Sequence, residues 1–194
     1  IFESYRPFYK INKKFDTICT DDRPLVLVRA DNDVVKTSIL KSLSFALYGE
    51  ASPQEDQKSV NRRAADEANG RTSVTILFDH DGDQFSISRR LEFNKVKKGE
   101  TLPEITGRSV TIKKNGDMLM DSEEVSDNEI NTYIEATFLP KEVSPFFFFD
   151  GMKIQNYTTE RPSPSIVDAV KKLLGIQQLL NASSDLGHIK VDLT

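Results

Sequence analysis

A short apolar run followed directly by a helical pattern is the feature that most constrains the fold of this chain. Pro24 precedes four apolar residues at 25–28, and such a run favours a strand buried on both faces. Residues 31–33 are polar, and apolar residues then recur at helical spacing as far as Gly49, which predicts a helix end: Ile39, Leu40, Leu43, Ala46 and Leu47. A buried strand that leads into an amphipathic helix is a building unit of α/β domains.

Two turn dipeptides predict two β-hairpins in the middle of the chain. The first hairpin covers residues 74–90 and turns at Asp81-Gly82, and the second runs from Ser109 to Met120 and turns at Asn115-Gly116. Asp-Gly and Asn-Gly are the dipeptides that two-residue hairpin turns favour. A hairpin-like β segment is also predicted over residues 1–20, with these core candidates: Phe2, Tyr5, Phe8, Ile11 and Phe15.

Helices and loops are predicted between and after these strands. Residues 51–58 indicate a polar loop, and residues 60–68 a short helix closed by Asn69-Gly70. A helix capped by Ser126 or Asp127 is expected to end near Phe138. Two further elements complete the prediction, a fully apolar strand over 146–149 and a long helix from about residue 165. This mixed order favours an α/β or α+β domain over a bundle or a sandwich.

Composition excludes several classes of protein. The 194 residues suffice for one domain, or one lobe of a larger one, and contain no run of the about 20 apolar residues that a membrane span needs. A single cysteine, Cys19, excludes a disulfide framework and suits a reducing compartment. The presence of only two histidines argues against a histidine-based metal site, and 26 basic against 30 acidic residues exclude a generic polycation.

The strand–loop–helix junction partly matches the phosphate-binding pattern G-x-x-x-x-G-K-[ST]. Lys36 and Thr37 fit its last two positions, whereas Ala30 and Val35 replace both glycines. A helix N-terminus offers free N–H groups and a positive dipole end to phosphate, where Lys36 could reach the β- and γ-phosphates and Thr37 could hold Mg²⁺. Val35 is the greater misfit, because a β-branched side chain resists both close approach and a positive φ. A polar turn with a solvated Lys36 fits the motif equally well.

Residues 25–50 also resemble the first strand, phosphate loop and first helix of SMC-like ABC ATPase heads. Coiled-coil ATPases of chromosome maintenance, of MRN-type DNA repair and of bacterial DNA-modification and anti-phage systems carry such heads. The segment ends in Leu-Tyr-Gly-Glu at 47–50, which is typical of that group, and residues 59–64 are similar to its arginine-bearing segment. The resemblance implies that Arg63 lies near nucleotide or DNA, and that Ser38 is another secondary contact.

The block from Pro145 to Ile154 closely resembles DndD-type ATPases of DNA phosphorothioation systems, at the place of the Q-loop. Independently, four phenylalanines predict a buried strand that ends at Asp150, and P-loop folds place metal chemistry at strand ends. Asp150 is therefore a candidate catalytic residue that binds Mg²⁺ or positions water. Two alternatives remain: a Walker B aspartate, although Gly151 rather than Glu follows it, or a helix N-cap. Gln155 is a weaker alternative ligand.

The end of the chain allows a short heptad pattern: Leu179, Ala182, Leu186, Ile189 and Leu193. About two heptads are also compatible with one amphipathic helix packed on its own domain. In the family, however, this position leads into the coiled coil, and the signature motif, Walker B and switch histidine lie in a C-terminal lobe. Neither an LSGG-type sequence nor a Walker B pattern ending in Asp-Glu occurs here. The resemblance therefore implies that the chain holds half of a site.

We accordingly predict that residues 1–175 form the N-terminal lobe of an ABC-type head and that residues 176–194 lead toward a coiled coil. ATP and Mg²⁺ are the expected ligands, with the following site residues: Asn32, Asp33, Val34, Val35, Lys36, Thr37, Ser38 and Arg63 for ATP, and Thr37 and Asp150 for Mg²⁺. Hydrolysis by these residues alone is not expected. The alternatives are a scaffold whose phosphate site Val35 has closed, and a complete small NTPase that uses Asp150 as Walker B.

The resemblance also implies the partners of the chain. These are its own C-terminal lobe, a second head in a dimer, other subunits of a DNA-modification or defence complex, and DNA bound by the assembly, in the cytoplasm and away from membranes. Six basic pairs are spread through the sequence: 13–14, 62–63, 89–90, 97–98, 113–114 and 171–172. Such pairs usually lie on a solvated surface, and several on one face could contact DNA phosphates.

Overall fold

A computed structural model describes residues 1–9, 33–50 and 52–148, of which 33–36 and 145–146 are described by their backbone alone. Two compact units divide the chain, Ile1–Ile134 and Glu135–Thr194. The described strands are β1 (Phe2–Glu3), β2 (Gly70–His80), β3 (Asp83–Phe93), β4 (Ile105–Lys114) and β5 (Asp117–Asp121). The described helices are α1 (Asp33–Tyr48), α2 (Pro53–Ser59), α3 (Arg62–Glu67), α4 (Asp127–Thr137) and α5 (Ser144–Phe147).

The five described strands form one antiparallel sheet in the order β1-β2-β3-β4-β5. Both predicted hairpins are confirmed, as β2–β3 and β4–β5. Asp81 and Gly82 take φ values of 51° and 85°, and Asn115 and Gly116 take 53° and 92°. Two consecutive positive φ angles are the geometry of a type I′ turn, whose twist matches that of the strands. The turn dipeptides thus determine where each hairpin reverses.

Helix α1 covers one face of this sheet. Phe45 and Ala46 are buried against Val74 of β2 and Leu91 of β3, and Ile39 packs at the margin of the same cluster. The predicted helix end is also confirmed, because Gly49 has a φ of 73° and its N–H donates to the carbonyl of Phe45 at 2.9 Å. A left-handed residue after the last turn is a common helix C-terminus.

The N-terminal segment is held against the sheet and α1 by its aromatic residues. The predicted core residues Phe2, Tyr5 and Phe8 are all buried, and Tyr5 is completely inaccessible to solvent. Strand β1 pairs with β2, where Phe2 lies opposite Val74. The buried hydroxyl of Thr72 donates to the carbonyls of Glu3 and Ser4 at 3.1 and 2.9 Å. Residues 10–20, including Ile11 and Phe15, lie outside the described residues.

The predicted polar loop over 51–58 is wrong, because most of it forms α2. The Oγ of Ser52 accepts from the N–H of Glu55 at 3.3 Å, and proline occupies the first helical position. Both are helix-start signals. Asp56 is buried and accepts from Nε and Nη2 of Arg108 on β4, each at 2.8 Å. The helix is therefore attached to the sheet by a polar contact, which apolar periodicity cannot reveal.

Helix α3 confirms the short helix predicted within residues 60–68, and α4 confirms the predicted capped helix. Ser126 accepts from the N–H of Glu129 through Oγ at 3.3 Å, and its own N–H donates to the Glu129 carboxylate at 2.9 Å. This reciprocal pair is a capping box, and it lowers the pKa of Glu129. Ile130 and Ile134 are fully buried on the same helix.

The second unit is described from residue 135 to residue 148. Here the prediction of a strand from 146 is wrong, because α5 spans Ser144–Phe147. The N–H of Phe148 donates to the carbonyl of Ser144 at 2.9 Å, and Phe147 is 59% exposed. Pro145 favours the first turn of a helix, and a short apolar run does not by itself distinguish a strand from a helix.

Several predictions fall outside the described residues. These are the apolar strand at 25–28, Phe149 with Asp150, the helix from about 165 and the heptad pattern. The division into residues 1–175 and 176–194 stays a prediction. No described helix has the length and apolar character required to cross a bilayer.

Candidate nucleotide site

The first turn of α1 coincides with the second half of the predicted phosphate-binding pattern. The described part of α1 starts at Asp33, so the backbone of Asp33, Val34, Val35 and Lys36 is helical. The first four N–H groups of a helix have no acceptor within it, and they lie at the positive end of the helix dipole. A helix start at this place in the pattern would present donors of the kind that bind a phosphate. Asn32 lies outside the described residues.

The helical conformation answers one of the two objections to Val35. A residue within a right-handed helix has a negative φ, which valine adopts without the steric penalty of the left-handed region. The cost of placing a β-branched residue at a positive φ does not arise in this conformation. The second objection is that the valine side chain obstructs the close approach of a phosphate, and binding experiments with Val35→Gly test it.

Two hydroxyl residues follow on the next turn of α1. Thr37 is half-buried, and Ser38 is buried with 5% of its surface exposed. A threonine directly after the lysine of the pattern would supply its hydroxyl to Mg²⁺. Ser38 is thus buried in the packing of α1, and its predicted role as a secondary contact stays a prediction.

Arg63 lies on the exposed surface of α3 and has protein partners. Its Nε donates to Oε1 of Glu67 at 3.1 Å, and its guanidinium carbon lies 4.4 Å from the centroid of the Tyr9 ring. The side chain of Arg63 is 72% exposed. These contacts orient an arginine that stays accessible, and its predicted role near nucleotide or DNA stays a prediction.

The opposite end of α1 is bound by an arginine of the sheet. Arg89 on β3 donates from Nη2 to the Leu47 carbonyl at 3.1 Å, and from Nε to the Ala46 carbonyl at 3.4 Å. The same Nη2 donates to Oδ1 of Asn131 on α4 at 2.9 Å. The guanidinium thus joins the last turn of α1, β3 and α4, and its charge complements the negative end of the helix dipole.

Arg89 is buried, with 7% of its surface exposed. Removal from water lowers the pKa of Arg89 to about 10, although Asp127 and Asp56 act in the opposite direction. The guanidinium stays charged at neutral pH. The interpretation of the pair 89–90 as solvated surface or a DNA contact is wrong for Arg89, while Arg90 is exposed on the opposite face of the sheet.

A polar cluster follows directly after α1 and includes the last residue of Leu-Tyr-Gly-Glu. The carboxylate of Glu50 accepts from Nη2 of Arg6 at 3.0 Å and from Oγ of Ser59 at 2.5 Å. Nε of Arg6 also donates to the hydroxyl of Tyr5 at 3.1 Å. Burial raises the pKa of Tyr5 to about 12. Glu50 therefore joins the N-terminal segment to α1 and α2.

The described residues contain no cluster of three or more histidine, cysteine, aspartate or glutamate side chains that could hold a metal ion. Asp150 and Gln155, the acidic and amide ligands proposed from sequence, lie outside the described part. What the structure does bring together is the backbone of 33–36 with Thr37, on one helix end. Binding of ATP phosphates at that end stays a prediction.

Comparison with known proteins places these features in a family. The family described as AAA domain matches residues 2–186, which is nearly the whole chain and includes the phosphate-binding pattern. The chain belongs to the AAA domain family. This membership agrees with the predicted P-loop NTPase class, and the described helices and antiparallel sheet are compatible with an α/β fold.

One curated relative of this AAA domain chain comes from Lactococcus lactis subsp. lactis strain IL1403, and its name makes it a subunit of the nuclease SbcCD. The two sequences are 28% identical over 106 residues, which is 53% of this chain. The matched region is 10% of the relative, so the chain spans a small part of that protein's length.

Sequence reasoning missed Arg89 as a structural residue, although the signal was present. Buried residues alternate along β3 at positions 85, 87, 91 and 93, and position 89 continues the same series. An arginine on the apolar face of a strand is expected to find acceptors inside the fold. Recognising the alternation through 89 would have predicted a buried contact there.

Proposed function

We propose that this chain is the ATP-binding N-terminal lobe of an SMC-like ATPase head that acts on DNA. The observation that carries the proposal is the family match across residues 2–186, which includes a lysine and threonine at the start of a helix packed on a sheet. The relative that belongs to a nuclease by name supports a connection with DNA. The proposal is that the chain binds ATP, and it does not require that the chain hydrolyse ATP without a C-terminal lobe.

Each residue of the candidate site has a distinct task in this proposal. The N–H groups of 33–36 would contact phosphate oxygens, Lys36 would add a positive charge, and Thr37 would hold Mg²⁺. Mg²⁺ supplies charge neutralisation at the phosphates when bound. Asn32 would contribute its backbone, and Asp150 would bind the metal or orient water. Ser38 and Arg63 would act as secondary contacts.

The finer parts of the proposal follow from the resemblance to DndD-type ATPases. A C-terminal lobe would complete the head, and two heads would enclose ATP between them. Their engagement would act on DNA in a modification-linked defence system or in repair, within the cytoplasm. Residues 176–194 would lead from the head toward a coiled coil.

ATP binding by the full-length protein that contains this chain tests the proposal. We expect a fluorescent ATP analogue to bind with Mg²⁺, and Lys36→Ala to weaken binding by about 10- to 100-fold, as loss of one charge-assisted contact predicts. Lys41→Ala is the matched control, because Lys41 is an exposed lysine further along the same helix. Equal affinity of the parent and Lys36→Ala would contradict the proposal.

A scaffold without nucleotide is the second candidate, and the valine at position 35 is the observation that favours it. The variant Val35→Gly separates the two functions, because it removes the side chain that would obstruct a phosphate. Absence of ATP binding in the parent, with recovery in Val35→Gly, would establish the scaffold. Turnover by the chain without a C-terminal lobe, abolished by Asp150→Ala, would instead establish a complete small NTPase.

A further inference from the structure

Strand β5 combines exposed apolar residues with an edge that has no strand partner among the described residues. Met118 is 53% exposed and Leu119 is 42% exposed, and they are neighbours on the last strand of the described sheet. Within the described residues β5 pairs only with β4, so its other edge has no strand partner there. An exposed apolar edge is a template for pairing with another extended chain.

Acidic residues flank these two apolar residues in the sequence. Asp117, Glu123 and Glu124 are exposed, and Asp121 is half-buried, its carboxylate accepting from the N–H of Glu123 at 3.0 Å. Two lysines lie across the ladder on β4. Lys114 donates to Asp83 on β3 at 2.7 Å. Lys113, which lies opposite Met118, is therefore the basic residue of the described β4–β5 ladder that remains beside the four acidic residues of this segment. We call residues 117–124 the acidic edge.

The charge pattern disfavours a second copy of the chain as the occupant of this edge. The strand sequence Asp-Met-Leu-Met-Asp is symmetric about Leu119. Antiparallel pairing of two copies about that residue would therefore place Asp117 opposite the second copy's Asp121. Parallel pairing in register would place each aspartate beside its equivalent. Like charges directly opposite in a sheet are destabilising.

We propose that the acidic edge binds an extended protein segment in which basic and apolar residues alternate. Such a segment would add a strand beside β5, with its backbone forming the ladder. Its apolar side chains would cover Met118 or Leu119, and its lysine or arginine side chains would meet Asp117, Glu123 and Glu124. Main-chain pairing supplies affinity in this mode of recognition, and the side chains supply specificity.

The test uses a fluorescein-labelled nine-residue peptide that alternates lysine with valine or threonine, titrated against the full-length protein by fluorescence anisotropy. A second peptide carries N-methyl groups on alternate residues, which removes N–H donors and keeps every charge. A third has glutamate in place of lysine. We expect the N-methylated peptide to bind at least about tenfold more weakly, since several ladder bonds are lost, and the glutamate peptide not to bind.

Protein variants locate the binding site. The double variant Asp117→Lys with Glu123→Lys should weaken binding of the lysine peptide at least about tenfold, because two attractive contacts become repulsive. The matched control, Asp79→Lys with Glu100→Lys, makes the same change of charge at exposed positions elsewhere and should change the affinity less than about twofold. Thermal unfolding of each variant checks that the fold is retained.

Four outcomes would overturn the proposal. They are absence of binding by the lysine peptide, equal binding of the N-methylated peptide, an equal loss in the control variant, and a dimer in sedimentation that Met118→Lys dissociates. Equal binding of the N-methylated peptide would show that the peptide is attracted by charge alone. A dimer that Met118→Lys dissociates would identify a second copy of the chain as the occupant of the edge.

Discussion

The two ends of α1 differ in what satisfies their backbone groups. At the carboxyl end, the guanidinium of Arg89 donates to the Ala46 and Leu47 carbonyls, and Gly49 closes the last turn onto Phe45. At the amino end, the backbone of 33–36 presents N–H groups at the position of a phosphate-binding pattern. The carboxyl end is thus stabilised by a cation of the protein itself, while the amino end is proposed to receive an anion.

The two ends of α1 lie within residues 25–50, the segment that resembles ABC ATPase heads, and the difference assigns a separate role to each end. The Leu-Tyr-Gly-Glu sequence ends the helix at the left-handed Gly49 and attaches it to its neighbours. The Leu47 carbonyl accepts from Arg89 of β3, and Glu50 contacts Arg6 and Ser59. The residues proposed to bind phosphate lie at the other end of this 16-residue helix. Substitutions at the carboxyl end should therefore change stability, and substitutions at the amino end should change nucleotide affinity.

Arg89→Met is the largest expected effect and tests the anchored end. Loss of the guanidinium leaves the helix carbonyls and Asn131 without their donor in a buried place. We expect the free energy of unfolding in urea to fall by about 2 to 4 kcal/mol. Arg90→Met is the matched control, because Arg90 is exposed on the opposite face, and its effect should stay within about 0.5 kcal/mol. Equal effects of the two variants would contradict the anchoring role.

Gly49→Ala also tests the carboxyl end of α1, at the glycine that lies beside Arg89. A β-carbon there meets a positive φ of 73° and would lie 3.3 Å from Nη1 of Arg89. We expect a loss of about 2 kcal/mol, of which roughly half is conformational. Gly82→Ala isolates that half, since Gly82 has a φ of 85° and no atom within 4 Å of the added carbon. Equal losses in urea unfolding would show that packing against Arg89 adds nothing.

Arg63→Ala gives the smallest expected effect on stability. Its exposed ion pair with Glu67 and its contact with Tyr9 should contribute about 0.5 kcal/mol or less. Chemical unfolding and ATP titration of the same variant separate its two possible roles. A tenfold loss of ATP affinity with unchanged stability would support the nucleotide contact that the sequence predicts, and unchanged affinity would exclude it.

Much of the sheet and α1 could be predicted because their signals are local. Asp81-Gly82 and Asn115-Gly116 force positive φ angles at defined points, so both hairpins follow from the sequence. Helix α1 shows apolar periodicity and a glycine end. Ser126 and Glu129 likewise form their cap within one turn.

The missed features depend on contacts between distant residues or on short ambiguous runs. Helix α2 has no apolar stripe, and its buried Asp56 is matched by Arg108 on a strand far along the chain. Position 147 belongs to an apolar run that is compatible with either a strand or a helix, and α5 is the outcome. For the candidate site, the sequence predicted a helix after the polar residues 31–33, and the structure has α1 there, while phosphate binding by 33–36 stays a prediction. The sequence did not indicate that Ser38 is buried.

The order of the sheet also has a consequence for synthesis of the protein. Strand β1 joins β2 from far away in sequence, as the contact between Glu3 and Arg71, 68 positions apart, shows. The ribosome makes Phe2, Tyr5 and Phe8 before their partners on β2 and β3, which follow several seconds later at roughly 5 to 20 residues per second. During that interval three aromatic side chains lack the surface that buries them. The nascent chain therefore depends on the later β2–β3 hairpin, whose turn is determined by neighbouring residues, to remove these three side chains from water.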